Sequence, residues 1–258
     1  MKIALFQTAG AGSVSANLDL LETRAAEAAA QGARLLIAPE MFLTGYNIGE
    51  RTWELAERAD GPAAQRAAGI AARHGLALLY GFPEYHGEEV YNAALFVDRD
   101  GRRELYRKAH LFGSQEQRLF VRGPHRPPLV ELDGLKIGLL ICYDVEFPEA
   151  VRALAVAGAD VIAVPTALMA PYSIVADTLV PTRAYENGVF VAYVNRVGTE
   201  GDLAYVGRSC LIGPDGVALL RAEADGEALL IAEIDPADIA RLRRVNPYFA
   251  DLRDDLYS

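Results

Sequence analysis

Three polar residues stand at the ends of predicted strands, and their side chains are the ones in this sequence most able to do chemistry. The carboxylate of Glu40 ends RLLIAPE, the amine of Lys108 ends ELYRK, and the thiol of Cys142 ends KIGLLIC. Ligands of open α/β sheets bind outside the carboxyl ends of strands, so three such ends can bring these groups together. Taken singly, each residue has an ordinary structural interpretation: a surface glutamate, a solvated lysine and a small core cysteine.

A carboxylate, an amine and a thiol together predict nucleophilic attack by a thiolate on a carbonyl or nitrile carbon. A free thiol is mostly protonated near neutral pH, so it needs a base or a nearby cation. We expect Glu40 to accept the proton of Cys142 and return it to a leaving amine. Lys108 and the backbone N–H of Tyr143 would stabilise the oxyanion. A papain-like alternative needs a histidine base, and only His110 lies near one of these segments.

The segments that must position these groups alternate between short apolar strands and alanine-rich helices. Successive β-α-β units predict a sheet with parallel pairs and buried faces. The predicted strands are Lys2–Phe6, Ala33–Glu40 and Leu76–Phe82, and the predicted helices are Ala16–Gln31, with Ser15 as its N-cap, and Pro62–His74.

Farther along the chain, Asp-Gly turns predict antiparallel hairpins. Strands are also expected in DVIAVPT, VFVAYVN and EALLIAEIDP, with helices from about Pro148 to Ala157 and over Asp177–Asn187. The mixture predicts one α/β domain over residues 1–258, with sheets covered by helix layers. The predicted turns are Asp98–Gly101, Asp133–Gly134 and Asp215–Gly216. We expect the aromatic residues of the C-terminal segment to pack on another surface; they are Tyr248, Phe249 and Tyr257.

The composition indicates a globular protein without a basic surface. The 258 residues are 52% hydrophobic and carry a net charge of −10, so we expect no nucleic-acid partner. No apolar run reaches the ~18 residues of a membrane helix, and no signal-peptide pattern opens the chain, so a cytoplasmic protein is expected. Two cysteines imply no disulfide framework. Without zinc-ligand spacing or a glycine-rich phosphate motif, we expect neither a metal nor a nucleotide cofactor.

The sequence around each of the three groups resembles a signature block of a known family. PEMFLTGY surrounds Glu40, YRKAHLF surrounds Lys108, and ICYDVEFPE surrounds Cys142. Their order and separation are similar to those of the nitrilase superfamily of carbon–nitrogen hydrolases. The resemblance covers nearly the whole chain, and three blocks in order are far more specific than one.

The resemblance implies a Glu–Lys–Cys triad. Glu40 would be the general base and acid, Lys108 the stabiliser of the oxyanion and the intermediate, and Cys142 the nucleophile. Glu116, eight residues after the lysine, occupies the place of a second glutamate that positions substrate or helps to move protons. The resemblance also implies an αββα sandwich that pairs into an αββααββα dimer. We therefore expect a homodimer or higher homo-oligomer, with the tail from about residue 244 as a candidate part of the interface.

The branch of the family bears on the reaction. CYDVEFPE is similar to amidase-type members and differs from the Cys-Trp-Glu start typical of true nitrilases. FLTGYNIG, KAHLFG and PYFADLR are most similar to bacterial amidases of short aliphatic or ω-amino amides, including 5-aminovaleramidase-like and stereoselective enzymes. We therefore predict hydrolysis of a small primary amide to a carboxylate and ammonia through a thioester. The alternatives are an N-carbamoyl-amine hydrolase, a nitrilase, and a catalytically inactive binding protein of the same fold.

The acids after the cysteine have two interpretations. Glu146 and Asp144 could select a cationic amine on the substrate, or they could pair with Arg152 or Arg183 and hold the site in shape. Glu149 is expected in the first turn of a helix, where a carboxylate is favourable. The candidate walls of the substrate pocket are Tyr46, Tyr143, Met169 and Tyr172.

Overall fold

The first half of the chain builds one sheet and the helices that cover it. The computed structural model describes residues 1–256. The elements are β1 (Lys2–Gln7), α1 (Val14–Ala30), β2 (Ala33–Ile37), α2 (Arg51–Glu54), α3 (Pro62–His74), β3 (Ala77–His86), β4 (Glu89–Val97), β5 (Arg103–Arg107) and α4 (Gly113–Leu119).

The second half builds the other sheet and returns to the first with its last strand. The elements are β6 (Leu129–Leu132), β7 (Leu135–Leu139), a 3₁₀-helix (Cys142–Glu146), α5 (Pro148–Val156), β8 (Val161–Pro165), a π-helical turn (Val175–Leu179), α6 (Val180–Asn187), β9 (Phe190–Val194), β10 (Thr199–Glu200), β11 (Leu203–Ala204), β12 (Cys210–Ile212), β13 (Ala218–Arg221), β14 (Ala228–Glu233), α7 (Pro236–Val245), α8 (Tyr248–Asp251) and a final 3₁₀ turn (Asp254–Leu256).

Two six-stranded mixed sheets pack face to face, with helices on their outer faces. Their strand orders are β14-β1-β2-β3-β4-β5 and β13-β12-β9-β8-β7-β6. In each sheet the three central strands, β1 to β3 and β7 to β9, are parallel and their neighbours are antiparallel. The predicted αββα sandwich is thereby confirmed. No helix within residues 1–256 combines the length and apolar character needed to cross a membrane.

The central strands of the two sheets are buried on both faces, which explains why their sequences are continuously apolar. In β1, Ile3 and Leu5 point into the layer between the two sheets, whereas Ala4 and Phe6 point toward α1 and α3. Successive side chains of a strand point to opposite faces, so one run of residues supplies two layers of the core. The buried apolar face of α1 consists of Leu18, Leu21, Ala25 and Ala28. A third apolar layer lies between the second sheet and the helices α5 and α6.

Most of the predicted elements lie where the pattern placed them, with bounds that differ by a few residues. The strand predicted over Ala33–Glu40 ends at Ile37, and the one predicted over Leu76–Phe82 extends to His86. The helix Pro62–His74 has the predicted bounds, and all three predicted hairpins are present. The N-cap of α1 is Ser13 and not Ser15, because Ser13 has the extended backbone of a cap and accepts the N–H of Ala16. The helix predicted from Asp177 begins earlier, in the π-helical turn. Of the tail aromatics, Tyr257 lies outside the described residues.

Gly81 allows the chain after β2 to cross closely over β3. A Cβ atom at this position would lie 2.3 Å from the backbone nitrogen of Met41 and 2.6 Å from Cα of Glu40. Both neighbours are backbone, so neither can move away independently. We expect Gly81→Ala to lower the free energy of unfolding by about 2–4 kcal/mol and to lower activity as well, because the backbone of Glu40 must shift. Urea denaturation and the rate of amide hydrolysis measure the two effects.

A matched control for this substitution is Gly69→Ala in α3. Gly69 is exposed, and a Cβ atom there would meet nothing within 4 Å. Alanine in a helix interior is more favourable than glycine by roughly 0.5–1 kcal/mol, so this variant should gain stability and keep full activity. Equal stability changes in the two variants would contradict the close approach at Gly81.

Candidate active site

The three residues that the sequence singled out meet in one buried cluster. Glu40 lies three residues beyond β2, Lys108 directly follows β5, and Cys142 opens the 3₁₀-helix beyond β7. The ammonium nitrogen Nζ of Lys108 lies 2.7 Å from Oε1 of Glu40, and neither side chain is exposed. The charges of both residues act on the thiol of Cys142. The two sheets therefore bring together a carboxylate, an amine and a thiol that are far apart in the sequence.

Glu116, at the start of α4, completes the cluster. Its Oε1 lies 2.6 Å from Nζ of Lys108 and accepts a hydrogen bond of 2.7 Å from the hydroxyl of Tyr46. Its Oε2 accepts the backbone N–H of Phe112 at 2.8 Å. Lys108 thus bridges two buried carboxylates, and both oxygens of Glu116 are occupied.

Glu40 differs from Glu116 because one of its oxygens is free. Asn92 donates its side-chain amide to Oε1 of Glu40 at 2.7 Å, and Lys108 donates to the same oxygen. The other oxygen, Oε2, is buried and has no hydrogen-bond partner within residues 1–256. A buried acceptor without a partner is unfavourable unless something else binds there. This oxygen can accept a proton from a neighbouring acid.

The proton affinities in the cluster follow from burial and charge. Burial raises the pKa of Glu40, and the charge of Glu116 adds to this effect against the opposing charge of Lys108. Burial alone would lower the pKa of Lys108, but the charges of Glu116 and Glu40 outweigh it and raise the pKa well above its usual value. Lys108 is therefore held as an ammonium, and Glu40 is a stronger base than an exposed carboxylate.

Cys142 has the backbone of a strained position and the electrostatics of a protonated thiol. Its φ is +43°, in the left-handed region that non-glycine residues rarely adopt. Burial and the charge of Glu40 raise the pKa of the Cys142 thiol, while Lys108, the Thr166 hydroxyl and the Ala167 N–H act in the opposite direction. A thiol of this kind reacts when a nearby base removes its proton at the moment of attack.

Aromatic side chains pack around the residue that follows Cys142. Tyr143, next to the cysteine, packs edge-to-face on Phe112 with ring centroids 5.2 Å apart, and Phe112 packs in turn on Tyr172 at 5.7 Å. Tyr172 is 44% exposed. Met169 is buried and pairs through its backbone with Tyr205. The backbone N–H of Tyr143 lies in the first turn of the 3₁₀-helix, where N–H groups have no partner within the helix.

Asp144 connects the segment of the lysine to the segment of the cysteine. Its carboxylate accepts a hydrogen bond from the backbone N–H of His110 and lies 2.7 Å from Nδ1 of the same histidine. It also accepts hydrogen bonds from the Tyr106 hydroxyl and from the backbone N–H of Ile141. The predicted ion pairs with Arg152 or Arg183 are therefore wrong for Asp144. Asp144 is fully buried next to Cys142, and donors from its own turn and from the segment around Lys108 satisfy its carboxylate.

Arg183 binds the 3₁₀-helix Cys142–Glu146 through backbone carbonyl oxygens of the helix and not through the carboxylates of its acidic residues. Its guanidinium donates to the carbonyl oxygens of Val145 and Glu146, at 3.0 Å and 2.7 Å, and also pairs with Glu186. The Glu146 carboxylate has no hydrogen bond or ion pair with any residue that the structure describes. Burial raises its pKa, although the charges of Lys108 and Arg183 oppose this. Glu149 stands in the first turn of α5, as predicted.

Three partners of the cluster were not predicted from the sequence. Asn92 binds Glu40, Tyr106 binds Asp144, and Thr166 lies beside the thiol. Asn92 carried a signal, because it interrupts the apolar residues of VYNAALFV on a strand whose neighbours are buried. Buried amides are retained where they have a partner to bind, so a polar residue inside such a strand marks a site.

Comparison with known proteins agrees with this geometry. The model of the family described as "Carbon-nitrogen hydrolase" matches residues 2–244. The chain belongs to the carbon–nitrogen hydrolase family. A Pseudomonas protegens protein described as "Hydrolase in pqqF 5′region" is 48% identical to this carbon–nitrogen hydrolase over 261 residues, covering 100% of this chain and 90% of that protein. An (R)-stereoselective amidase of a Pseudomonas species is 37% identical and covers 98% and 92%.

A solved structure extends the similarity to the fold. The amidase NitN of Nesterenkonia sp. AN1 superposes with a TM-score of 0.89 at 37% identity, covering 100% of this chain and 98% of that one. In a glutamate-to-glutamine variant of that amidase, acrylamide has added to the active-site cysteine. The present carbon–nitrogen hydrolase is thus an enzyme of the nitrilase superfamily, of the amidase type.

Proposed function

We propose that this enzyme hydrolyses a small aliphatic or ω-amino primary amide to a carboxylate and ammonia, through a thioester on Cys142. One observation carries the proposal: the buried ammonium of Lys108 lies between Glu40 and Glu116, its charge acts on the Cys142 thiol, and Glu40 keeps one oxygen free. This set provides a nucleophile, a base and a fixed positive charge in one cluster.

In the first step the thiol proton of Cys142 moves to Oε2 of Glu40 as the sulfur attacks the carbonyl carbon of the amide. The carbonyl oxygen becomes negative. An ammonium has three N–H groups, and Lys108 uses two of them on the carboxylates, so the third can donate to the oxyanion. The Tyr143 N–H is the second proposed donor.

In the second step the tetrahedral intermediate collapses and the C–N bond breaks. Glu40 gives its proton to the nitrogen, which leaves as ammonia, and the acyl group remains on Cys142 as a thioester. Glu40, again a carboxylate, then takes a proton from water as the water oxygen attacks the thioester. When the second tetrahedral intermediate collapses, the C–S bond breaks, Glu40 returns the proton to the sulfur, and the carboxylic acid departs. We assign Glu116 the role of keeping Lys108 charged and oriented through both steps.

The acyl group is proposed from the pocket wall. Phe112, Tyr143 and Tyr172 offer apolar faces to a short methylene chain. Glu146, half-buried and without an ion-pair partner within residues 1–256, suits an ammonium at the far end of that chain. Met169 and Tyr46 lie in the apolar cluster beneath this wall. These contacts support an aliphatic chain with or without a terminal amine.

The test is a panel of primary amides, nitriles and N-carbamoyl amines assayed for ammonia, acid and carbon dioxide. The proposal expects one equivalent each of ammonia and carboxylic acid from short amides, and no carbon dioxide. Carbon dioxide from carbamoyl amines as the fastest reaction would favour the carbamoyl-amine hydrolase instead. Fastest turnover of nitriles would favour a nitrilase, and absence of every product would favour a binding protein.

We also propose that residues 1–258 form one catalytic domain that assembles as a homodimer or larger homo-oligomer in the cytoplasm. Tyr185, Val245 and Tyr248 leave apolar surface exposed where the tail from about residue 244 packs on α6, which supports a self-association face. Both cysteines are free thiols, which suits a reducing compartment. Light scattering after size exclusion should give at least twice the 27.9 kDa of one chain.

A further inference from the structure

Glu200, on the short β10–β11 hairpin, holds the segment that follows Glu40 by its backbone. Its Oε2 accepts the N–H groups of Tyr46 and Asn47, at 2.9 Å and 2.8 Å, and the hydroxyl of Tyr205 at 2.7 Å. Three donors on one carboxylate oxygen form a firm anchor, since hydrogen bonds to a charged group are stronger than neutral ones. A single side chain thus joins segments that are 153 and 154 residues apart in the sequence.

Arg196 secures the other oxygen of Glu200. The guanidinium, 2% exposed, forms an ion pair with Oε1 of Glu200 and also donates to the carbonyl oxygens of Ala9, at 2.8 Å, and Met41, at 3.3 Å. Burial alone would raise the pKa of Glu200, but Arg196 and the backbone donors outweigh it and lower the pKa. The carboxylate therefore stays charged at neutral pH, and the contacts persist.

The anchored segment contains Tyr46, whose side chain contacts Glu116. Gly45, with a φ of +97°, turns the chain beside Glu200, and a Cβ atom there would lie 2.9 Å from Oε1 of Glu200. The next residue, Tyr46, is 7% exposed and donates its hydroxyl to Glu116. Its ring packs edge-to-face on Tyr205, with centroids 6.4 Å apart.

We propose that Glu200 is a positioning residue of the amide hydrolysis, which acts through Tyr46 on Glu116 and so on Lys108. This inference rests on the proposed function. Glu200 fixes the backbone of Tyr46 from one side, Tyr205 fixes its ring, and the hydroxyl can then reach only the Glu116 oxygen that also binds Lys108. The hairpin thereby sets the orientation of the ammonium that faces the oxyanion.

The test is a double-mutant cycle between Glu200→Gln and Tyr46→Phe, with kcat, KM and the pH profile of kcat as readouts. Each single variant should lower kcat by about 10- to 100-fold, since a small displacement in a catalytic cluster has effects of this size. KM should change less, because Glu200 does not line the proposed pocket. The acidic limb of kcat should move to higher pH, because the carboxylate pair loses a donor to its charged form.

The cycle separates positioning from ordinary stabilisation. If Glu200 acts through Tyr46, adding Glu200→Gln to Tyr46→Phe should lower kcat little further. Independent, multiplying losses would overturn the proposal, and so would a Glu200→Gln variant that unfolds at lower temperature but keeps wild-type kcat and pH profile. If Glu200→Gln does not fold beside the buried Arg196, Glu200→Asp keeps the charge and shortens the reach to the Tyr46 N–H. Its kcat should fall in the same way, and wild-type kcat would count against the proposal.

Asp202→Asn is the matched control. This carboxylate lies on the same hairpin, and within residues 1–256 it binds only the side-chain amide of Asn47. The variant should keep wild-type kcat and pH profile. The proposed function fails separately: if wild-type enzyme releases no ammonia from any amide, the function falls, whereas an active enzyme with an unaffected Glu200→Gln variant removes only the role of Glu200.

Discussion

Replacement of Cys142 by alanine is expected to lower kcat by about 10⁴-fold or more while the fold remains intact. Within residues 1–256, Cys142 is the one thiol beside this cluster. Both oxygens of Glu116 are already bound, and Glu40 is proposed to use its free oxygen as the base. The substitution removes one sulfur from a partly exposed position, so packing changes little. Ammonia release measures turnover, and intact-protein mass after rapid quenching measures the acyl-enzyme, which should be absent in the variant.

Cys210→Ala is the control, because Cys210 is the second free thiol and lies in the core. It is fully buried in β12, and burial raises the pKa of this thiol to about 12. We expect this variant to lose some stability from the cavity that forms, and to keep kcat. Labelling by iodoacetamide should likewise stop in Cys142→Ala and continue in Cys210→Ala. Turnover that survives in Cys142→Ala would exclude the thioester route.

The three proposed catalytic groups could be singled out in the sequence because each lies at or just beyond the end of a strongly patterned strand. Apolar runs such as RLLIAPE and KIGLLIC predict buried strands, and the polar residue that ends each run is conspicuous against them. The motifs around Glu40, Lys108 and Cys142 then fixed their grouping. The layered fold followed for a similar reason: the alternation of strand and helix signals can be recognised from the local sequence, and it favours sheets covered by helices.

The partners of these groups could not be predicted, because they depend on how distant segments pack. Nothing near Glu200 in the sequence indicates that its carboxylate binds the N–H groups of residues 46 and 47. Asp144 illustrates the same limit. Its charge suggested an arginine, but the fold surrounds it with the hydroxyl of Tyr106 and the N–H of His110. Which donor satisfies a buried acid is decided by tertiary geometry, whereas its type and position are visible in the sequence.

Glu40→Gln is expected to be the second most damaging substitution, with kcat lower by about 10²- to 10⁴-fold, the usual contribution of a general base. Glutamine can still accept the donors that bind Oε1, from Lys108 and Asn92, so the cluster should keep its shape. The amide has no proton affinity at the position of Oε2, so the thiol proton has no acceptor. Steady-state ammonia release measures the loss, and one equivalent of alkylation at Cys142 shows that the nucleophile remains intact.

The pH dependence gives this prediction its sign. Glu40 acts as a base only when ionised, and burial raises its pKa above that of an exposed glutamate. The kcat/KM of the wild type should therefore fall as pH decreases through a value above the ordinary glutamate pKa of about 4.3, and Glu40→Gln should lack this limb. An acidic limb that is unchanged in the variant would assign it to another group and remove Glu40 as the base.

Glu40→Gln should lower activity without lowering the free energy of unfolding at neutral pH. A carboxyl whose pKa is raised in the folded state favours folding at low pH, and this contribution is lost as pH rises through the folded-state pKa. At neutral pH the buried charge of Glu40 thus destabilises the folded state. In Glu40→Gln, Lys108 keeps its ion pair with Glu116. Glu40→Gln should unfold in urea at the same or a higher concentration than the wild type at neutral pH. A less stable variant would contradict this. It would mean that the ion pair between Glu40 and Lys108 stabilises the folded state by more than the buried, unpartnered Oε2 of Glu40 destabilises it.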